Sequence, residues 1–264
     1  MTKSIGIYHQ IDLEILDLVA SLRAEDAEAD EVNNEILRQG SQLGISEATI
    51  KKRTRPARKA WYSEDSLVVE RAAQLFHQSD EDDRFALHVA VLIRAYPFFL
   101  DVLSEVGKAL RLGSNVRQAT IRDRLTRRYG QEGNVRQGVQ KVLQSLVSWD
   151  KLELTAETGV YHVTEPRPVD EAVGEILVAC ILEGGNNDAF PLDAATAHPA
   201  LFLFVISQLR IEENGLLMQY TEGGNSRFVG LNADVLSNEA EDPGSDNHQE
   251  NDSSKEHQRL DSFL

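Results

Sequence analysis

The sequence contains a single cysteine, Cys180, which excludes a disulfide within the chain and a zinc cluster built from cysteines. Cys180 lies in the apolar run 176–182, so we expect a buried structural thiol rather than a nucleophile. No apolar run reaches the length of a membrane span, and the amino end lacks the basic and apolar regions of a signal peptide. These absences favour a soluble cytoplasmic protein that makes no membrane contact.

Motifs typical of enzymes are also absent. The chain has no glycine-rich phosphate loop, no His-Glu-x-x-His metal helix, no Gly-x-Ser-x-Gly elbow and no kinase signature set. The consecutive acids 80–83 are typical of a helix start, where carboxylates complement the positive end of the helix dipole. His77 and His88 do not have the spacing of a metal site. We therefore expect a protein that is not an enzyme and that holds no cofactor and no metal.

Basic residues are fewer than acidic ones, since 27 Lys and Arg stand against 43 Asp and Glu, for a formal charge of −16. A net charge of this sign argues against nucleic acid, because phosphates are repelled by acidic surfaces. The charges are segregated, however: residues 51–59 carry six bases and no acid, and residues 108–141 carry nine bases and two acids. Residues 1–48 and 232–264 are strongly acidic. The net charge is therefore a poor guide to the local potential.

The stretch 114–162 has the element order of a winged helix, which is helix, turn, helix and β-hairpin. Residues 116–129 predict a basic helix, and glycines predict the turn after it. Asn134 is placed to cap a second helix by accepting from its free backbone N–H groups. One face of that helix is apolar: Val135, Val139, Val142, Leu143, Leu146 and Val147. Alternating residues then predict a hairpin that turns at 157–159.

The opposite face of this second helix carries donor-rich side chains, which can reach base edges and phosphates in a major groove. We expect four of them to enter or border the groove: Arg136, Gln137, Gln140 and Lys141. The preceding segment adds arginines that we expect to hold phosphates: Arg117, Arg122, Arg124, Arg127 and Arg128. The alternative is a core helix with a solvated face, which has the same pattern.

Residues 40–53 follow the pattern of a helix-turn-helix. Gly44 suits the turn, Ser46 suits the cap of the next helix, and Pro56 is expected to cut that helix short. We expect the dense basic run in this helix to contact phosphate: Lys51, Lys52, Arg53, Arg55, Arg58 and Lys59. The aromatic residues at 61–62 are expected to anchor the chain to the core. A solvated helical corner with a basic end is the alternative.

The expected fold class is mainly α, with helix-turn-helix and winged-helix modules, small β-hairpin wings and a disordered acidic carboxy-terminal tail. We divide the chain into four parts: a helical domain with the helix-turn-helix segment (1–112), a winged-helix module (113–166), a second winged-helix-like module (167–231) and the tail (232–264). In the second module, residues 200–211 predict a third helix that is apolar almost all round. From 232 onward the apolar periodicity is lost, which is typical of disorder.

Residues 43–53, 92–106 and 135–152 carry helical motifs that resemble the BrxA-type proteins of bacterial BREX phage-exclusion systems. The resemblance covers about residues 15–155, and the chain from 169 onward lies outside it. It implies an all-helical, non-enzymatic protein with helix-turn-helix-like parts, which binds DNA within a multi-protein defence system.

These observations favour a non-enzymatic component of a bacterial BREX-like phage-defence system, with double-stranded DNA and other defence proteins as its partners. Two alternatives stay open. The apolar third helix of the second module favours a protein–protein interaction scaffold of a defence complex. A winged-helix transcription regulator of its own operon would instead predict dimers and a palindromic site.

Overall fold

The computed structural model describes residues 5–42, 44–62, 66–113, 115–130, 132–222 and 226–238. Within these ranges the chain is mainly α-helical, as the sequence predicts, and carries small sheets. The helices are α1 (Leu13–Ala24), α2 (Ala29–Gln42), α3 (Glu47–Tyr62), α4 (Leu67–Phe76), α5 (Glu81–Ala95), α6 (Pro97–Leu112), α7 (Gln118–Tyr129), α8 (Glu132–Ser148), α9 (Glu171–Gly185), α10 (Leu192–Thr196) and α11 (Ala233–Asn238). The strands are β1 (Asn115–Arg117), β2 (Leu152–Leu154), β3 (Val160–Val163), β4 (Arg167–Pro168), β5 (Ala189–Pro191), β6 (Phe204–Val205), β7 (Leu217–Glu222) and β8 (Ser226–Leu231).

The helices α5 and α6 form the centre of the amino-terminal half. Asp80 caps α5, because its carboxylate accepts from the backbone N–H of Asp83 at 2.9 Å, and most side chains of α5 are buried. Pro97 begins α6 and forces a bend of 118° between the two helices. Among the described residues no single helix is long and apolar enough to cross a membrane, although this bent pair passes that test by length and composition together.

A buried polar contact ties α1, α3 and α5 together. The indole N–H of Trp61 donates to Nδ1 of His88 at 3.2 Å, and Nε2 of His88 lies 2.9 Å from a carboxylate oxygen of Asp17. Because Nδ1 accepts, a neutral His88 carries its proton on Nε2 and donates it to Asp17. Trp61 therefore anchors α3 to the core, as the sequence predicts.

The helix α3 continues through Pro56 to Tyr62, so the prediction that Pro56 cuts it short is wrong. Proline removes one helical hydrogen bond, to the carbonyl of residue 52, and Lys52 is exposed. The buried side chains of Ala57 and Trp61 hold the last turns of α3 against the core and offset that loss. Gly44, with φ of +70°, forms the predicted turn before α3.

Helix α6 is followed by β1, α7, α8 and an antiparallel hairpin of β2 and β3. The sheet order is β1-β3-β2, with Val116 opposite Tyr161. The predicted apolar stripe of α8 is buried, and its last member, Val147, packs on the core from a half-buried position. Asn134 does not precede this helix as predicted, because α8 begins at Glu132, two residues earlier. The predicted turn after α7 begins at Gly130, which takes the left-handed conformation that ends this helix.

The carboxy-terminal part repeats the order of helix, strand and helix followed by a hairpin, here α9, β5, α10, β7 and β8. Its sheet order β5-β8-β7 is antiparallel throughout, like that of β1-β3-β2. The predicted third helix over 200–211 is wrong: a 3₁₀ turn at Pro199–Leu201 is followed by β6, which pairs in parallel with β4. An apolar segment without a polar face can be buried as a strand as readily as a helix, and β4 supplies its backbone partners.

The first residues of the predicted disordered tail are ordered. Asn232 is buried, and its side-chain amide donates to the backbone carbonyls of Glu213 and Gly215 at 3.1 Å each. Two side chains of α11, Val235 and Leu236, pack on the core. The prediction of disorder is therefore wrong for 232–238, and 239–264 lie outside the described residues. So do Ser114, Gln131 and residues 223–225.

One hydrophobic core runs through all three predicted structured parts, since α9 packs on α4, α5 and α6. Two glycines permit a close approach of one backbone to another. A Cβ at Gly184 would lie 2.5 Å from the carbonyl oxygen of Ile93, and a Cβ at Gly107 would overlap the carbonyl oxygen of Pro199. Hence α9 and the 3₁₀ turn are pressed directly against the backbone of the amino-terminal helices.

We expect Gly107→Ala to lower the free energy of unfolding by about 2–3 kcal/mol, because backbone atoms of Pro199 cannot yield to the added methyl group. The matched control is Gly133→Ala, since a Cβ at Gly133 meets nothing within 4 Å and the residue lies in α8. That change should be neutral or stabilising by up to about 0.5 kcal/mol. Urea unfolding followed by circular dichroism checks both values, and equal costs would contradict the close approach.

A buried histidine, His88, and a half-buried one, His198, should make stability depend on pH. Burial lowers the pKa of His88, and it lowers the pKa of His198 to about 4. In the unfolded chain histidine titrates near about 6.5, so between these values the unfolded state binds more protons. Their contribution to stability is therefore complete above about pH 6.5 and is lost as the pH falls toward 4.

Urea unfolding at pH 7, 6 and 5 measures this dependence. We expect His198→Gln to flatten it, because glutamine keeps an acceptor for the N–H of Ala200, which His198 Nδ1 accepts at 3.2 Å, but does not titrate. His162→Gln is the control, since His162 is exposed. Equal pH slopes for the two variants would show that His198 is not responsible.

Candidate nucleic-acid interface

The amino-terminal segment 5–12 lies in an extended conformation against α8. Its residues alternate between inside and outside: Ile5, Ile7 and Ile11 are buried, whereas Gly6 and Tyr8 are exposed. Three hydrogen bonds fix it on α8: Gln137 Nε2 to the Tyr8 carbonyl (3.5 Å), the Ile11 N–H to Ser145 Oγ (2.8 Å) and Trp149 Nε1 to the Ile11 carbonyl (3.1 Å). Segment 5–12 and α8 therefore run in the same direction.

The other side of this segment faces α3. Near its end, Asp12 accepts from Nε of Arg53 at 2.9 Å, and this hydrogen bond and charge raise the pKa of Arg53. Near its beginning, Gly6 abuts the ring of Tyr96, and the ammonium of Lys59 lies 4.7 Å from the centre of the same ring. Hence α3 runs opposite to α8, and its carboxyl half lies beside the amino half of α8.

This arrangement joins the two basic stretches that the sequence singled out. We call the combined surface the α3–α8 face and define it by its outward side chains: Lys52, Arg55 and Lys59 of α3, Tyr8 of the segment, and Arg136, Gln137, Gln140 and Lys141 of α8. Tyr8 is 38% exposed and supplies an aromatic ring between the two helices. The sequence analysis missed this residue because it did not assign segment 5–10 to any element.

The contribution of α8 consists of hydrogen-bond donors on one stripe. Arg136, Gln137 and Gln140 are exposed, and Lys141 is half-buried with its ammonium donating to the Gln144 side chain at 3.0 Å. No acidic residue occurs between Gly133 and Trp149 in the sequence. The potential along this stripe is therefore set by its two cations and by amide groups.

The basic run of α3 divides into paired and unpaired side chains. Lys51 forms an ion pair with Glu47, one turn earlier, and Arg53 pairs with Asp12. The side chains of Lys52, Arg55 and Arg58 make no hydrogen bond or ion pair with any residue that the structure describes. Positions 52, 55 and 59 share one stripe at helical spacing, whereas Arg58 is half-buried on its flank. The stripe 52, 55 and 59 is therefore the part of α3 that can take up anions, since none of its side chains forms an ion pair with a described residue.

The arginines before and within α7 are mostly engaged by acids of this protein. Arg124 donates to Glu105 of α6 at 3.1 Å, and Arg128 donates to Asp101, which also accepts from the Tyr129 hydroxyl at 2.6 Å. Burial raises the pKa of Glu105, but hydrogen bonds from Lys108 and Arg124 outweigh this effect, so the pKa is lowered overall. Sequence reasoning missed both acids, because residues 101 and 105 resemble ordinary polar positions of an amphipathic helix.

Two more of these arginines also have acidic neighbours. Arg117 pairs with Glu157 at the hairpin turn, and Arg122 pairs with the adjacent Asp123. Arg127 is exposed and makes no ion pair with any residue that the structure describes. The structure thus assigns α7 and its flank an internal electrostatic role, and their contact with phosphate stays a prediction.

The hairpin β2–β3 differs in charge from the α3–α8 face. Between residues 152 and 163 the sequence has Glu153 and Glu157 and no lysine or arginine. Lys151, just before β2, holds its ammonium 4.4 Å from the ring centre of Phe85. Leu154 is 69% exposed. The hairpin therefore offers no cation to a phosphate.

A cleft of about 740 Å³ opens at the carboxyl end of α8, beside the buried His88. Its rim is acidic, since it includes Glu81, Asp82 and Asp150. In the part of the chain that the structure describes, no group of three or more His, Cys, Asp or Glu side chains is arranged to hold a metal ion. An acidic cleft of this kind does not suit a nucleic acid.

Comparison with known proteins gives no match: no family model, curated protein or solved structure is significantly similar to this chain. The resemblance to BrxA-type proteins therefore stays a prediction.

We expect Asp101→Ala to lower the free energy of unfolding by about 1–3 kcal/mol, because it leaves the buried Tyr129 hydroxyl without its acceptor, whereas the exposed Arg128 guanidinium is solvated by water. Asp123→Ala is the matched control, since it also removes the acidic partner of an arginine of α7, but at an exposed site worth less than about 0.5 kcal/mol. Urea unfolding measures both. A cost for Asp101→Ala no larger than that of the control would refute the structural role of this pair.

Proposed function

We propose that this chain binds double-stranded DNA through the α3–α8 face and does so without catalysing a reaction. The observation that carries the proposal is the alignment of two donor-bearing helices on either side of segment 5–12. One helix offers amide and guanidinium groups, and the other offers a stripe of unpaired cations. A duplex presents bases in a groove flanked by phosphates, which is the complement of such a surface.

The part α6 to β3 supports a winged-helix unit. Its order is helix, strand, two helices and two strands, and its first strand pairs with its last. In that architecture α8 occupies the position of the helix that enters the major groove. Arg136 suits the acceptor edge of guanine, and Gln137 or Gln140 suits adenine. The carboxy-terminal part has the same sheet order, but chain 206–213, without a helix, stands where a groove-reading helix would be.

The stripe of α3 takes the role of holding the DNA backbone. Arg55 and Lys59 present charge beside the amino half of α8, where a phosphate strand would leave the groove, and Lys52 extends the stripe toward the carboxyl half of α8. The acidic hairpin β2–β3 is poorly suited to that role, since Glu153 and Glu157 would be repelled by phosphate. We therefore propose that the duplex extends from α8 across segment 5–12 toward α3.

The resemblance to BrxA-type proteins supports a place for this DNA binding in a BREX-like phage-defence system, together with other defence proteins. The scaffold alternative depended on an apolar third helix over 200–211. Since that helix is not formed, the observation that favoured the scaffold is lost. No described feature favours a transcription regulator over a defence component.

A salt series of fluorescence anisotropy with a labelled duplex tests the proposal. We expect Lys52→Ala, Arg55→Ala and Lys59→Ala, combined in the full chain, to lower the salt slope by about two to three units. The expected reason is the loss of up to three phosphate contacts, each releasing counterions. The comparison variant removes two arginines that are already paired with acids, Arg117→Ala and Arg122→Ala, and should lower the slope by less, because Glu157 and Asp123 neutralise much of their charge.

A second variant in the same series separates α8 from α3. Arg136→Ala with Lys141→Ala should weaken binding and lower the slope by about one to two units. It should also reduce the preference between duplexes of different sequence, because base contacts carry the specificity. Unchanged slopes for both variants would refute the α3–α8 face as the interface, and absent binding by the wild type at low salt would refute DNA binding itself.

A further inference from the structure

The α3–α8 face carries cations that no acid of the described chain neutralises. Lys52, Arg55 and Arg136 are exposed and make no ion pair with the residues described, and Lys59 is engaged by the ring of Tyr96. Elsewhere several bases of this protein pair with nearby acids, as Arg124 and Arg128 do. A local excess of positive charge in a chain of net charge −16 is a site that an acidic segment would occupy.

Residues 239–264 supply a segment of that chemistry. They contain eight acidic residues against Lys255 and Arg259, and they follow directly after α11. Extended chain covers about 3.4 Å per residue, so 26 residues can reach about 90 Å. A domain of this size is roughly 45 Å across. Segment 239–264 can therefore reach the α3–α8 face from wherever α11 lies.

We propose that the α3–α8 face binds the acidic segment 239–264 of the same chain, and that DNA must displace it. Contact rests on charge complementarity alone and does not depend on the proposed function, whereas competition with DNA does rest on it. Tethering makes a weak contact effective, because a short linker gives an effective concentration of about millimolar. An affinity that would be negligible between separate molecules is then sufficient for occupancy.

The first arm of the test measures DNA affinity in the full chain. The acids of the segment are changed to amides: Glu239→Gln, Glu241→Gln, Asp242→Asn, Asp246→Asn, Glu250→Gln, Asp252→Asn, Glu256→Gln and Asp261→Asn. We expect this variant to bind duplex about three- to tenfold more tightly at 50 mM salt. The gain should shrink below about twofold at 300 mM, because exposed ion pairs are screened there.

A control variant tests whether net charge alone explains the gain. It changes five exposed acids near α2 to amides: Glu25→Gln, Asp26→Asn, Glu28→Gln, Asp30→Asn and Glu31→Gln. These acids lie away from segment 239–264 in sequence and give a general reduction of negative charge. We expect at most a twofold change in affinity, since these acids are not part of the segment that is proposed to occupy the face, and their loss acts only through the general charge. Equal gains for both variants would overturn the specific contact.

The second arm detects the contact without DNA. A zero-length carbodiimide reagent joins a carboxylate to a lysine that it touches, and mass spectrometry then identifies the joined peptides. In the wild-type chain at low salt we expect Lys52 and Lys59 to couple to segment 239–264. Coupling of Lys108 to Glu105, which lie 2.9 Å apart, serves as the internal reference and should persist at high salt. Added duplex should remove the coupling to the segment.

The two arms separate the inference from the proposed function. Tighter binding by the amide variant together with coupling at Lys52 and Lys59 supports the inference. If neither result is obtained, the inference is overturned. Salt-sensitive DNA binding by the wild type would still leave the proposed function standing in that case. Coupling in a chain that binds no duplex keeps the contact and refutes the DNA function. Coupling at these lysines without tighter DNA binding by the amide variant keeps the contact but overturns its competition with DNA.

Discussion

The hydrogen bonds of Ile11 hold together the surface on which the proposed function depends. Its backbone N–H and carbonyl are buried between helices and would be costly to leave without partners. Ser145 and Trp149 of α8 supply those partners, and the isoleucines of segment 5–12 are buried in the core, with Ile5 against Gly138 of α8. A shift by one residue would turn these side chains outward, so the register is fixed. Helices α3 and α8 are thereby held on opposite sides of one extended segment.

Helix α8 was predictable because its apolar side chains recur at helical spacing over many residues. The same periodicity showed which of its residues face outward, and the structure exposes Arg136, Gln137 and Gln140. The neighbourhood of α8 was not predictable. Segment 5–12 is too short for its alternation to stand out, and its partners at 145 and 149 are more than 130 residues away. Long-range pairing of this kind leaves no local signal.

The errors in the secondary structure have the same origin. Local rules treat Pro56 as the end of a helix and 200–211 as the beginning of one, and both rules were overridden by packing. Around Pro56 the buried side chains of α3 secure the helix, whereas at 203–205 the backbone of 167–169 offers sheet hydrogen bonds. Propensity is a weak preference that tertiary contacts outweigh when a segment is apolar on every side.

The acidic character of the whole chain and a DNA-binding face are compatible because charge acts over short distances. At physiological salt the screening length is about 8 Å, so the potential at α8 depends on its own stripe and on α3 rather than on distant acids. The ion pairs that Arg124 and Arg128 form with acids of α6 hold α7 on α6. In each pair one positive and one negative charge neutralise each other. What remains outward on the α3–α8 face is positive. Lower salt would let remote acids act at this face, so part of the usual gain in DNA affinity at low salt should be offset.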